Sequence, residues 1–345
     1  MDRFVAGLVS PPRLPLDWAE ARPLLRPVLR GVTPGSPLRR PVLPFLYEFV
    51  VVDQPDTMTY VGPEHPAGWE VSAEQVFAAA RANLSGAVLH GVASEPVVVR
   101  FVDDGDAYWT SHLLLENWLG RLAGQVGGVP VAFAPERGTL LVTADGSEHL
   151  PGLFAQAEEI YATSSRPITP MAYVSDEQGC TVPYEAPPGH PLHRAVQRAE
   201  RLLAVCEYAR QATQALTEEP PETVAALPGD ATGADDKNGK DGKDGKEGEK
   251  SKDGKGGLPG TATPGDTKPR GAASTAMAEL RLVGSNEQGW RTRAIWERDE
   301  PALLPEADEV QVGADVRAWD EVARHLSVAP DIDPPRWAAA GWPTA

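Results

Sequence analysis

Asp103, Asp104 and Asp106 stand where the apolar run Val97–Val102 ends, and three carboxylates so placed could hold Ca²⁺ or Mg²⁺. Their spacing fits no EF-hand loop and no distal glutamate completes one, so a plain Asp-Gly turn is the simpler reading. Arg137 follows Pro135 in a second turn and could offer its guanidinium to a carboxylate; a solvated turn arginine is the bland alternative. Cys180, His190, His193 and Cys206 carry zinc-ligand chemistry without the close cysteine pair that usually starts such a site. Cys206 falls on an apolar helical stripe, where a thiol behaves as a small hydrophobe. Ser111 and His112 are helix neighbours that cannot face each other, and Gly91–Glu95 fails the last position of a nucleophile elbow. Gly124, Gly127 and Gly128 follow a helix pattern instead of a strand, the wrong setting for a phosphate loop. Trp337 and Trp342, close to the C-terminal end of the sequence, could anchor a partner as interface aromatics do. No cofactor is called for.

The elements that must position these groups alternate between strand and helix patterns. Residues 44–52 and 58–61 predict a hairpin, and Ser72 with Gln75 predicts a capped helix over 72–84. Val97–Val102 predicts a buried strand, and Leu114, Trp118, Leu122 and Val126 predict a helix from Ser111 stopped by Gly127-Gly128. Strands are expected at 129–134, 139–143 and 171–174, with helices at 153–161 and 190–216. The order fits an α+β fold of two layers, a mixed sheet with helices packed on one face. After it come strands at 278–283 and 290–297 and a short helix carrying Val316, Trp319, Ala323 and Leu326.

Four segments follow from composition: a Pro/Arg-rich arm (1–40), an α+β body with a trailing helix (41–227), a disordered Lys/Gly/Asp linker (228–275) and a Trp-rich segment (276–345) expected to dock on the body. The chain of 345 residues has a net charge of −17, and −15 of it lies in residues 41–227. Such a body repels phosphate backbones and anionic lipid, which argues against nucleic-acid and membrane partners and leaves room for a protein with a basic face. No apolar run approaches a membrane span, Met1-Asp2-Arg3-Phe4 opens no signal peptide, and two cysteines fit a reducing compartment, so a cytoplasmic protein is expected.

Over residues 40–180 the chain resembles the YtpQ-like family of bacterial proteins. The resemblance rests on Phe49-Val50-Val51-Val52-Asp53 through Met58-Thr59-Tyr60-Val61, on Trp69–Gln75 through Ala82-Asn83-Leu84, and on Asp104–Tyr108 with Ser111–Leu115. It continues through Pro130–Arg137 and Leu140–Val142 in the same order. The chain departs from the family pattern where Asp106-Ala107 is inserted and where Glu136-Arg137-Gly138 replaces an Asn-Arg-Asp. The resemblance implies an α+β fold in a bacterial cytoplasm and no particular activity.

Charge, tether and the lack of an assembled motif favour a non-enzymatic acidic protein-binding module. A hydrolase or metal-dependent enzyme with its site near Asp103–Asp106 is one alternative, and an immunity-type inhibitor of a basic toxin is another. The candidate contact residues are Asp103, Asp104, Asp106, Arg137, Trp337 and Trp342.

Overall fold

Leu46 to Val52 are buried without a break, as a strand can be only when both faces of its sheet are covered. The computed structural model describes residues 14–31, 33, 37–55, 57–84, 91–102, 108–218, 276–296, 300–330 and 332–341. In it these residues form most of β3 (Leu46–Gln54), with β1 (Leu25–Arg30) antiparallel on one side. On the other side β2 (Arg39–Leu43) pairs with the first half of β3 and β4 (Thr57–Tyr60) with the second. Helix α1 (Ala73–Asn83) covers one face through Val76, Phe77 and Ala80, which meet Leu25, Val50 and Val52. Val28, Phe49 and Val51 point to the opposite face, against Leu84 and Tyr108.

The reading of α1 from Ser72 and Gln75 holds in detail. The Gln75 amide donates to the Ser72 hydroxyl (3.2 Å) and the Ser72 amide to the Gln75 side chain (2.8 Å), which satisfies two of the donors a helix start leaves open. β1 is a strand the sequence reading did not find. Its apolar residues are broken by Arg26, Pro27 and Arg30, and the edge position it takes is one that tolerates a proline.

The second sheet of the body runs β5-β7-β6-β8-β9, antiparallel throughout: β5 (Val99–Val102), β6 (Pro130–Glu136), β7 (Thr139–Ala144), β8 (Ala172–Ser175) and β9 (Thr181–Pro183). Helix α2 (Leu150–Thr163) lies on it, with Phe154 edge-on to Phe133 at 5.0 Å. β5 is an edge strand: Phe101 enters the core but Val102 is exposed.

One expected helix is absent. Residues 109–126 form 3₁₀ turns at Trp109–Leu114 and Gly120–Leu122 and a single α-turn at Ala123–Val126. Leu115 is extended, and Asn117 takes a left-handed φ of 60° while its amide donates to the Gly179 carbonyl (2.7 Å). Leu114, Trp118, Leu122 and Val126 still reach the core, so the apolar spacing reported burial correctly and backbone wrongly. The stop is as expected: Gly127 is left-handed, and a Cβ there would lie 2.7 Å from the Glu95 carbonyl.

Helix α3 (His193–Glu218) packs on α2 by one side and on the C-terminal strands by another. Those strands form two sheets. One runs β11 (Glu279–Ser285), β12 (Gly289–Ile295), β14 (Glu309–Val312) and β15 (Asp315–Ala318); the other runs β10 (Ala276–Met277), β13 (Ala302–Pro305), β17 (Arg336–Ala339) and β16 (Ser327–Val328). The pairs β12–β14 and β10–β13 are parallel. The expected helix around Val316–Leu326 shrinks to α4 (Trp319–Ala323), and Val316 joins β15. The architecture is α+β, and no helix among the described residues is long and apolar enough to cross a membrane. The linker proposed at 228–275 lies outside the described residues.

Candidate functional site

Arg137 occupies the two-residue turn between β6 and β7. The turn is fixed from outside, since the Arg137 amide donates to the Arg166 carbonyl (3.1 Å) and the Ile168 amide to the Pro135 carbonyl (3.0 Å). Its neighbour Glu136 is engaged by the hydroxyls of Thr139 and Ser164, both at 2.8 Å, and so does not neutralise it. The Arg137 side chain is half-buried, and its Nε is enclosed without a hydrogen-bond partner.

Arg30, the last residue of β1, lies close by. Only 6% of it is exposed. One Nη donates to the carbonyl of its own neighbour Leu29 (2.7 Å), and its Nε has no partner. Burial, then repulsion from Arg137, lowers its pKa to about 10, against opposing contributions from Tyr60 and Tyr108. The Tyr60 hydroxyl lies against the guanidinium and favours its charged form, and it is buried with no other hydrogen-bond partner among the described residues. Tyr108 closes the cluster from a left-handed position (φ 48°), with its hydroxyl beside the Asp53 carboxylate and 3.8 Å from the Met58 sulfur. Two guanidinium groups and two phenols thus lie within electrostatic reach of one another, with no carboxylate bound to either arginine among the described residues.

The remaining candidates are placed as follows. Asp103, Asp104, Asp106 and Trp342 lie outside the described residues, although β5 ends with Val102 opposite Thr139, at the same end of the sheet as the Arg137 turn. Trp337 is half-buried in β17, edge-on to Trp319 at 5.3 Å. Cys180 is exposed in a turn, and Cys206 sits on α3, where burial raises its thiol pKa. His190 accepts from the Leu192 amide, and His193 bonds the Ala186 carbonyl (2.7 Å). No group of three His, Cys, Asp or Glu among the described residues is placed to hold a metal ion.

Elsewhere the charged groups serve the packing. Glu48, fully buried, receives Arg81 at two oxygens (2.8 and 2.7 Å) and Arg40 at 2.6 Å. Between α3 and the C-terminal strands, Asp308 takes both Arg201 nitrogens (3.0 and 2.9 Å) and the Thr292 amide (2.7 Å). Burial alone would raise the Asp308 pKa; the bonds from Arg201 and Thr292 outweigh it, and the net shift is downward. A cavity of about 420 Å³ opens between β10 and the end of β12, lined by Met277, Glu279, Trp296 and Pro301.

Arg137 was marked by its turn. Arg30 was missed, because an arginine in a proline- and arginine-rich stretch reads as a solvated charge. Comparison with family models, curated proteins and solved structures returns no match.

Proposed function

We propose that the chain is a non-enzymatic acidic recognition protein of the bacterial cytoplasm that binds another protein presenting a basic face. The observation that carries this reading is the charge over residues 141–190, where seven carboxylates face a single arginine. Glu148, Glu159, Glu177 and Glu185 are exposed, whereas Glu158 is held by Arg198 and Asp145 by the Tyr184 hydroxyl. Tyr184 in turn packs on Phe154, so the Asp145 end of β7 and the segment after β9 are tied to the same helix. An excess of carboxylates steers a cationic partner and rejects polyanions.

Affinity capture from the native host at low ionic strength, followed by reconstitution with purified components, tests the reading. A stoichiometric partner released by salt, and bound at least several-fold more weakly by the Glu148→Gln, Glu177→Gln, Glu185→Gln triple variant, is expected. No partner under these conditions, together with a turnover abolished by Asp106→Asn in a folded protein, would favour a hydrolase or metal-dependent enzyme instead. A basic toxin as the captured protein would narrow the role to immunity-type inhibition.

A further inference from the structure

A guanidinium taken out of water is stable only when its donors are met by acceptors, and it is seldom left beside a second one without an anion between them. Arg30 is more than nine-tenths buried; among the described residues it donates to the adjacent carbonyl and lies against the Tyr60 hydroxyl, and its Nε stays open. Arg137 brings a second open Nε from a turn whose backbone is pinned by residues 166 and 168, and Tyr60 adds a buried hydroxyl from β4 that faces Arg30. The carboxylates of the surrounding elements are already engaged: Glu136 by Thr139 and Ser164, Glu48 by Arg40 and Arg81, Glu207, which abuts Gly31, by Arg210, and Asp53 by the Tyr108 hydroxyl. The cluster is built from three separate strand ends, so its geometry is set before any ligand arrives.

We propose that Arg30 and Arg137, with the Tyr60 hydroxyl, form a receiving site for one carboxylate group, carried by a small organic acid or by a peptide. Two planar forks and a hydroxyl match the two oxygens of a carboxylate, and a monoanion suffers less repulsion from a body of charge −15 than a phosphate dianion does. The inference rests on these three residues and stands or falls apart from the basic partner proposed above, which would meet a different surface.

Thermal unfolding of the full chain at constant ionic strength, with chloride replaced by acetate or by inorganic phosphate, reads the site directly. Acetate is expected to raise the midpoint saturably in the wild type. Arg137→Gln, a change in the half-buried turn between β6 and β7, should weaken the response roughly tenfold or more. Arg30→Met should abolish it; if that variant fails to fold, Arg137→Gln and Tyr60→Phe carry the test. A peptide with a free C-terminal carboxylate that outcompetes acetate, while its amidated form does not, identifies a peptide source; equal competition by both leaves the small acid. Wild type and Arg137→Gln responding alike to acetate would overturn the proposal, as would phosphate binding more tightly than acetate. A response that appears only in Asp103→Asn, Asp104→Asn, Asp106→Asn would overturn it too, because the chain would then be supplying its own anion.

Discussion

Arg336 and Arg30 are both buried, and burial brings both down to a pKa of about 10, yet they do opposite things. Arg336 donates to the Gln211 side chain and to the carbonyls of Ala278, Leu303 and Tyr208, and its guanidinium lies 5.2 Å from the Tyr208 ring centre. Every one of these partners is neutral, and together they join α3 to β13, β17 and the residue before β11. Arg30 has one local carbonyl, the Tyr60 hydroxyl and a like charge for neighbours, and its Nε has no partner. Burial of a charge does not by itself mark a functional residue. What separates a clasp from an open site is how many of the five donors have been answered.

The largest effect is expected from Arg336→Met, which removes a donor from three main-chain carbonyls and from the buried Gln211 amide oxygen. A loss of about 3 kcal/mol or more is expected in urea unfolding. Glu48→Ala comes next, at about 2–3 kcal/mol, since it strands Arg40 and Arg81, which are partly exposed and can recover some water. Asp308→Asn should cost about 1–2 kcal/mol by weakening the bidentate contact with Arg201. Asp308 also sharpens the comparison through pH. Its folded pKa lies below its unfolded one, so its contribution is complete above the ordinary carboxylate range and fades as pH falls through the folded value. An acid titration followed by tryptophan emission should therefore show a transition in the wild type that is reduced in Arg201→Gln. Trp290 is placed to report it, because its amide bonds Gln197 and the Arg198 guanidinium lies 4.1 Å from its ring centre. The smallest change is expected from Arg30→Met, within about 1 kcal/mol of the wild type, because it removes an uncompensated charge and keeps the volume. A loss as large as that of Arg336→Met would show Arg30 to be a clasp as well.

How much was legible in the sequence depends on whether the signal was local. The Ser72–Gln75 box, the hairpin around Pro55 and the stripe Leu192, Val196, Ala199, Leu203 are local, and each became the expected element. The stretch 109–126 defeated the reading because the Asn117 amide bonds a carbonyl 62 residues away, at Gly179, which no window of spacing contains. β1 was hidden for a similar reason: its hydrophobic partners are on β3, and its own pattern is interrupted by two arginines and a proline. The same cause hid half of the candidate site. A turn proline pointed to Arg137, while the burial of Arg30 depends on pairing with Tyr47 and on packing against residues more than seventy positions on.

Helix α3 has a consequence for the order of events at the ribosome. Its outer stripe, Ala204, Val205 and Tyr208, meets Phe45 and is otherwise covered, among the described residues, by strands that begin 58 residues after the helix ends, at Ala276. At a synthesis rate of roughly 5–20 residues per second, several seconds pass before the covering chain has even been made. During that interval the nascent protein displays a greasy flank, and the burden of keeping it from its neighbours falls on chaperones or on the helix being slow to settle.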